Sequence, residues 1–274
     1  MGELFGTDGI RGVANRYPMD AETAFKVGQT IAYLFKRNSH RAKVIIGKDT
    51  RISGYMLESS LEAGITSMGG DAYLVGVLPT PGISYITHSM RADAGIVISA
   101  SHNPYQDNGL KIFGADGFKL TDARETEIEE MILGDRLNEL LPEARHMGKA
   151  TRIDDVNGRY IVFLKNTFPR DLSMEGMKIV LDTANGATYR VAPDTFSELG
   201  VDVQLINGKP DGININHQCG SQHTQQLRTK VLESGAALGL AFAGMTMLTA
   251  FDDCDTVSGV GHEGCASRSN TRSW

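Results

Sequence analysis

The chain has 274 residues, of which 41% are hydrophobic and 22% charged, and its formal net charge is -6. This length is enough for about two domains, and the composition is that of a globular protein without an apolar run long enough to span a membrane. The acidic balance argues against nucleic acid and anionic membranes as partners, and the first residues lack the basic and apolar segments of a secretion signal, so a cytoplasmic location is expected.

The first half of the chain alternates between helix and strand patterns. Asp20 is the expected N-cap of a helix over 21–36, and Ser53 that of a helix ending near residue 67. Asp107-Asn108-Gly109 is typical of a hairpin turn, and the glutamate-rich helix after residue 121 is expected to present a solvated face. The strands predicted in this half are 44–46, 72–77 and 94–98.

The second half repeats this alternation after a polar boundary at 135–155, and a helix over about 156–166 leads into it. Its predicted elements are strands at 178–181, 201–206 and 238–242 and helices at 189–199 and 222–233. Such alternation implies a mainly parallel sheet covered on both faces. The predicted fold class is α/β, with two successive αβα-layered domains with mainly parallel mixed sheets over 1–140 and 155–251. A disordered tail is expected at 252–274, which is poor in aliphatic residues.

The most informative segment follows the buried strand pattern at 94–98 and reads Ser99-Ala100-Ser101-His102-Asn103-Pro104. Ligands of α/β sheets bind beyond the carboxyl ends of strands, so Ser101 lies where chemistry is expected, and its hydroxyl can carry a phosphoryl group. Alternatively, Ser-His-Asn-Pro is only a turn, because these residues favour turns for backbone reasons alone.

Three further segments add positive charge and backbone amides. The opening loop, residues 5–12, contains three glycines and Arg11, whose planar guanidinium can bind an oxyanion. Lys48 and Arg51 lie in a loop after the strand at 44–46, and Lys111 follows the turn at 107–109. Arginine, lysine and histidine side chains around one serine indicate a site for a phosphate ester.

These motifs, over roughly residues 1–242, resemble the α-D-phosphohexomutase superfamily and, within it, the bacterial phosphoglucosamine mutases. The resemblance implies that Ser101 is phosphorylated, passes its phosphoryl group to a hexosamine phosphate, and takes one back from the other end of a hexosamine 1,6-bisphosphate. The reaction implied is interconversion of glucosamine 6-phosphate and glucosamine 1-phosphate, a step towards cell-wall precursors. The catalytic residues implied are Ser101, His102, Arg11 and Lys111, and the residues implied for the substrate and phosphate loops are Thr7, Asp8, Gly9, Lys48, Arg51, Asn103 and Asn108.

The sequence departs from this family at its metal-binding loop. The family has Asp-Gly-Asp-Gly-Asp-Arg there, and its aspartates hold Mg²⁺ against the phosphoserine; here Ala243, Met245 and Met247 stand in their place. Only a phosphoserine oxygen at Ser101 would remain as a ligand, so Mg²⁺ is expected to bind weakly or not at all. The acidic residues at 252, 253 and 255 come several positions late and are interpreted as a solvated stretch.

Two functions stay open. One is a mutase that acts on a small phosphosugar, and the other is a truncated, inactive relative that only binds phosphate or a partner, since the family uses four domains and this length fits two. A tendency to self-associate is also expected. A serine hydrolase is disfavoured, because Ser101 and His102 are adjacent and their side chains would point to opposite faces of an extended backbone.

Overall fold

The computed structural model describes residues 2–36, 40–134, 136–245, 248–251 and 257–260. Its first half forms a six-stranded sheet in the order β1-β5-β4-β2-β3-β6. The strands are β1 (Ile10–Val13), β2 (Lys43–Lys48), β3 (Asp71–Val77), β4 (Ala94–Ile98), β5 (Asp107–Gly114) and β6 (Ala150–Arg152), and the helices are α1 (Ala21–Leu34), α2 (Ser53–Ser67), α3 (Thr80–Ser89) and α4 (Asp122–Leu133). Strands β4, β2, β3 and β6 are parallel, and β5 runs antiparallel to both of its neighbours.

The central strands are apolar on both faces because helices cover both. Val44 and Ile46 of β2 pack in one cluster with α1 and α2, whereas Ile45 packs in the opposite cluster with Ile83 of α3. The predicted N-cap of α1 is confirmed, since the Asp20 carboxylate accepts the N–H of Thr23 at 2.8 Å.

The second half forms a five-stranded sheet in the order β11-β10-β9-β7-β8. Its elements are α5 (Val156–Thr167), β7 (Lys178–Asp182), α6 (Val191–Glu198), β8 (Asp202–Ile206), α7 (Gln225–Ser234), β9 (Leu238–Phe242), β10 (Leu248–Phe251) and β11 (Val257–Val260). Strands β8, β7 and β9 are parallel, as predicted. Val180 packs towards α7 and Ile179 towards α6, so the predicted αβα layering is found in both halves.

Two local predictions are wrong. Residues 107–109 are not a hairpin turn but the start of β5, where they pair with β1. Ser53 does not cap α2; its hydroxyl instead accepts a hydrogen bond from Asn108 Nδ2 at 2.8 Å. Both errors have one cause: the buried Asn108 side chain bonds across to α2, and this tertiary contact overrides the local turn preference.

The two halves share a core. Tyr160 and Ile161 of α5 pack with Ile83 of α3, and Val191 and Met245 from the second half join the same cluster. The predicted domain limits, 1–140 and 155–251, remain a prediction. Within the predicted tail the structure has the short strand β11, and the rest of 252–274 lies outside the described residues. No helix in the described ranges is long and apolar enough to cross a membrane.

Candidate active site

Ser101 lies in the loop that joins β4 to β5, at the carboxyl edge of the first sheet. Its backbone is left-handed, with φ of 55°, a conformation uncommon for residues other than glycine. Its N–H donates to Ser99 Oγ at 3.0 Å, and that hydroxyl donates to Asp49 Oδ2 at 2.6 Å. The turn around Ser101 is therefore held by the residues that directly follow β2 and β4.

Arg51 lies beneath this loop rather than on its surface. The side chain is fully buried, and Nε donates to Asp49 Oδ2 at 2.9 Å. Nη2 donates to the carbonyls of Ser101 at 3.1 Å and Asn103 at 2.8 Å, and Nη1 donates to the carbonyl of Pro104. The expected phosphate-loop role for Arg51 therefore does not fit its position, because its donors are taken up by the loop backbone.

Lys48, also expected in the phosphate loop, is directed elsewhere. Its buried ammonium pairs with Glu58 and lies 3.9 Å from the ring centroid of Tyr55. Both partners belong to α2, so Lys48 does not face the Ser101 loop.

Arg11 and Lys111 lie on the adjoining strands β1 and β5. Arg11 Nη2 pairs with Asp8 Oδ2 at 2.9 Å, and Lys111 Nζ is 4.0 Å from Asp8 Oδ1. Arg11 Nε is buried and has no hydrogen-bond partner among the residues that the structure describes. Burial lowers the pKa of Lys111 below its usual 10.5, an effect that Asp8 opposes and Arg11 reinforces.

The opening loop is held close to β5. Gly9 has φ of 87°, and a Cβ there would lie 2.2 Å from the Leu110 carbonyl oxygen, so only glycine fits. Thr7 and Asp8 are exposed at the loop tip, and Lys119 Nζ donates to the Thr7 carbonyl at 2.8 Å. Lys119 was missed in the sequence, where no motif distinguishes it.

The remaining predicted residues separate into surface and buried positions. His102 is exposed beside Ser101. Asn103 is half-buried, and its Nδ2 donates to Asp107 Oδ2 at 2.9 Å. Asn108 is fully buried between β5 and α2, so it supports the sheet rather than facing a ligand.

A contribution from the second half was not predicted. Asn216 Nδ2 donates to the carbonyls of Ser101 at 2.9 Å and Asn103 at 3.0 Å, while its Oδ1 accepts the N–H of Gly244 at 2.9 Å. Gly244 follows β9, and a Cβ on it would lie 2.6 Å from the Ser101 carbonyl oxygen. The loop after β9 therefore packs directly against the Ser101 loop, and Asn216 joins the two.

The described residues do not fit a magnesium site. Ala243 and Met245, on either side of Gly244, are buried and carry no oxygen ligand in their side chains. Met247 and the acidic residues at 252, 253 and 255 lie outside the described residues. In the part of the chain that the structure describes, no group of three or more histidine, cysteine, aspartate or glutamate side chains is placed to hold a metal ion.

Comparison with known proteins agrees with this architecture. The phosphoglucosamine mutase of Syntrophobacter fumaroxidans is 71% identical over 244 residues, 89% of this chain and 54% of that protein. The phosphoglucosamine mutase of Syntrophus aciditrophicus is 64% identical over 244 residues, which are again 89% of this chain and 54% of that protein. A phosphoglucomutase/phosphomannomutase family protein from Burkholderia thailandensis has a crystal structure similar to this one, with a TM-score of 0.79 and 25% identity over 93% of this chain and 55% of that chain.

The chain spans about half the length of the curated relatives it matches. Residues 2–139 match the family model for the phosphoglucomutase/phosphomannomutase α/β/α domain I, and this region contains β1 to β5 and the Ser101 loop. Since that match covers half of the sequence and the fold agrees with it, the chain belongs to the phosphoglucomutase/phosphomannomutase family.

Proposed function

We propose that this chain serves phosphoglucosamine mutase chemistry, in which Ser101 exchanges a phosphoryl group with a hexosamine phosphate and so interconverts glucosamine 6-phosphate and glucosamine 1-phosphate. The observation that carries the proposal is the 71% identity to the Syntrophobacter phosphoglucosamine mutase over 244 residues. The proposal includes a hexosamine phosphate as the substrate class and a cytoplasmic location for the protein.

In the proposed reaction the Ser101 phosphoryl group passes to a free sugar hydroxyl. The bond between Ser101 Oγ and phosphorus breaks, a bond from the sugar oxygen to phosphorus forms, and the hydroxyl proton leaves to a base. The bisphosphorylated sugar then turns, and its other phosphate returns a phosphoryl group to Ser101 Oγ. Arg11 and Lys111, which lie together beside Asp8, would hold the phosphoryl oxygens, and the exposed His102 would move the proton.

Positioning supports this role for Ser101. Phosphoryl transfer depends mainly on alignment and charge neutralisation, and the Ser101 carbonyl is held by Arg51 from below and by Asn216 from the second half. Arg51 and Asn216 are positioning residues in this proposal, because they touch the loop backbone rather than the phosphate.

Magnesium has no assigned step in this proposal. The resemblance implies Mg²⁺ at the loop after β9, but the described part of that loop offers no carboxylate. We therefore propose that Mg²⁺ binds far more weakly here than at a loop with three aspartates.

The test is phosphorylation of the purified chain by glucosamine 1,6-bisphosphate, followed by intact-mass measurement and peptide mapping. One phosphoryl group is expected on Ser101, and none after Ser101→Ala. Ser89→Ala, a serine on α3, is the matched control and is expected to be phosphorylated like the wild type. Phosphate retained in Ser101→Ala, or no phosphorylation of the wild type, contradicts the proposal.

A second candidate function is phosphate or phosphosugar binding without turnover. The loop after β9, where Ala243 and Met245 replace the family's aspartates, favours it. A coupled assay for glucosamine 1-phosphate formation, with and without Mg²⁺, separates the two candidates. Turnover supports the mutase, whereas a chain that is phosphorylated on Ser101 but forms no product supports the second candidate.

A further inference from the structure

A cavity of about 330 Å³ lies where the two halves of the chain meet. Lys48 and Arg152, the last residues of the parallel strands β2 and β6, line it together with Val77, the last residue of the intervening strand β3. Arg190, just before α6, also lines it. The carboxyl edge of parallel strands and the junction between domains are both common places for ligands.

This cavity is separate from the Ser101 site. In the first sheet, Ser101, Arg11 and Lys111 belong to the half formed by β4, β5 and β1, whereas the cavity lies over β2, β3 and β6. None of these three residues lines it. The cavity therefore requires its own explanation.

Its lining carries unneutralised positive charge. Within the described ranges, neither Arg152 nor Arg190 forms an ion pair with a carboxylate, although Asp154 also lines the cavity. Both arginines are exposed, and the Arg190 guanidinium lies 5.2 Å from the ring centroid of Tyr189. Lys48 adds little, because Glu58 already balances its charge. Two guanidinium groups thus remain available to an anion.

An acceptor without a donor lies beside the cavity. Asn157, in the first turn of α5, lines the cavity, and its Oδ1 is buried with no hydrogen-bond partner among the described residues. A buried acceptor without a partner is costly, and a hydroxyl group on a bound molecule would satisfy it.

We propose that this cavity binds a small phosphate monoester that carries a free hydroxyl group. Arginine presents a planar fork of donors that matches phosphate oxygens, and the three terminal oxygens of a phosphate monoester can accept from two such forks at once. The hydroxyl would donate to Asn157 Oδ1, and the ring of Tyr189 would form one wall. This binding is independent of phosphoryl transfer at Ser101.

The experiment is a nuclear magnetic resonance titration of the full ¹⁵N-labelled chain with β-glycerophosphate and, separately, with inorganic phosphate. The backbone amide of Gly76 lines the cavity, and that of Gly109 lies beside Arg11, so the two signals report the two sites separately. We expect saturable shifts of the Gly76 signal. Arg152→Gln and Arg190→Gln should each weaken binding at Gly76 about tenfold. Arg145→Gln, an exposed arginine outside the cavity, is the control and should bind like the wild type.

Asn157→Leu tests the hydroxyl contact. The variant should weaken the binding of β-glycerophosphate, followed at Gly76, but leave the binding of inorganic phosphate unchanged. Only β-glycerophosphate carries a hydroxyl group on carbon. Equal binding of β-glycerophosphate by Asn157→Leu and the wild type overturns the hydroxyl contact. The anion site itself is overturned if Gly76 shows no saturable shift, if only Gly109 shifts, or if both arginine variants bind like the wild type.

Discussion

Arg51 shows how one buried charge can organise a loop. Its guanidinium is paired with Asp49 and donates to three carbonyls of the Ser101 loop, those of Ser101, Asn103 and Pro104. Methionine has a similar length but no charge, so it would leave the Asp49 carboxylate buried without its counter-charge, although Ser99 Oγ would still donate to it. Breaking a buried pair in this way is strongly destabilising.

We therefore expect Arg51→Met to lower the free energy of unfolding by about 3–5 kcal/mol, measured by urea denaturation. Arg51→Lys keeps the charge but not the fork, so it should cost less. Arg145→Met, at an exposed arginine paired with Glu143, should change stability by no more than about 0.5 kcal/mol. A loss below about 1 kcal/mol in Arg51→Met would show that the loop does not depend on this pair.

Lys111 gives the Ser101 site a pH dependence. Because burial lowers its pKa below 10.5, its positive charge is lost as the pH rises through that lowered value. Phosphate affinity, followed at the Gly109 amide, should fall as the pH rises through this lowered pKa. Lys111→Arg stays charged there, so its affinity should persist. Identical pH profiles for the two proteins would exclude Lys111 as a phosphate ligand.

At the scale of elements, α4 anchors the segment that leads into β1. Glu129 of α4 accepts the backbone N–H groups of Glu3 at 2.7 Å, Leu4 at 2.9 Å and Phe5 at 3.0 Å. Partial burial raises the pKa of Glu129, but these three N–H groups outweigh it and bring that pKa below its usual 4.5. The charged residues of α4 are expected from the sequence to face solvent, but Glu129 of this helix also holds the opening loop in place.

A depressed carboxylate pKa means that the ionised form stabilises the fold above pH 4.5 and that this contribution is lost as the pH falls through the lowered value. We expect Glu129→Gln to reduce the free energy of unfolding by about 1 kcal/mol at neutral pH, with the difference from the wild type shrinking in acid. Glu130→Gln, at the exposed neighbouring position, is the control for urea denaturation across the pH range. A constant difference at all pH values would contradict this account.

The sequence predicts most elements because their apolar periodicity reflects local burial, as in α1 and the central strand β4. It also points to the Ser101 loop, because the loop after a buried strand follows from chain order, whereas Arg11 and Lys111, expected in loops, lie on strands β1 and β5. It does not predict the role of Arg51 or Asn216. Their partners lie about 50 and 115 positions away, and a single sequence records no such pairing. Lys48 resembles a phosphate ligand in the sequence, because the sequence does not show that Glu58, 10 positions away, pairs with its ammonium.

At the scale of the whole molecule, the two halves are joined through one apolar cluster. Met245 is buried in it together with Ile83 of α3 and Tyr160 of α5, and hydrogen bonds from Thr50 Oγ1 to the Asn185 carbonyl and from Asn216 to the Ser101 loop also cross the junction. Unfolding one half would therefore expose apolar surface of the other.

We expect the two halves to unfold together in a single calorimetric transition. Met245→Ala should lower the free energy of unfolding by about 2–5 kcal/mol. Met177→Ala, at a methionine that is 38% exposed, should have a much smaller effect. Two separate transitions in the wild type, or equal effects of the two variants, would show that the halves unfold independently.

The left-handed backbone of Ser101 sets stability against function. For an L-residue this conformation costs roughly 1–2 kcal/mol, and glycine largely avoids that cost. Glycine also raises the conformational entropy of the unfolded chain, which offsets part of this stabilisation. Ser101→Gly should therefore fold at least as well as the wild type while losing the hydroxyl that we propose to be phosphorylated. If the Ser101 hydroxyl had no function, glycine at this position would relieve the backbone strain without any functional cost.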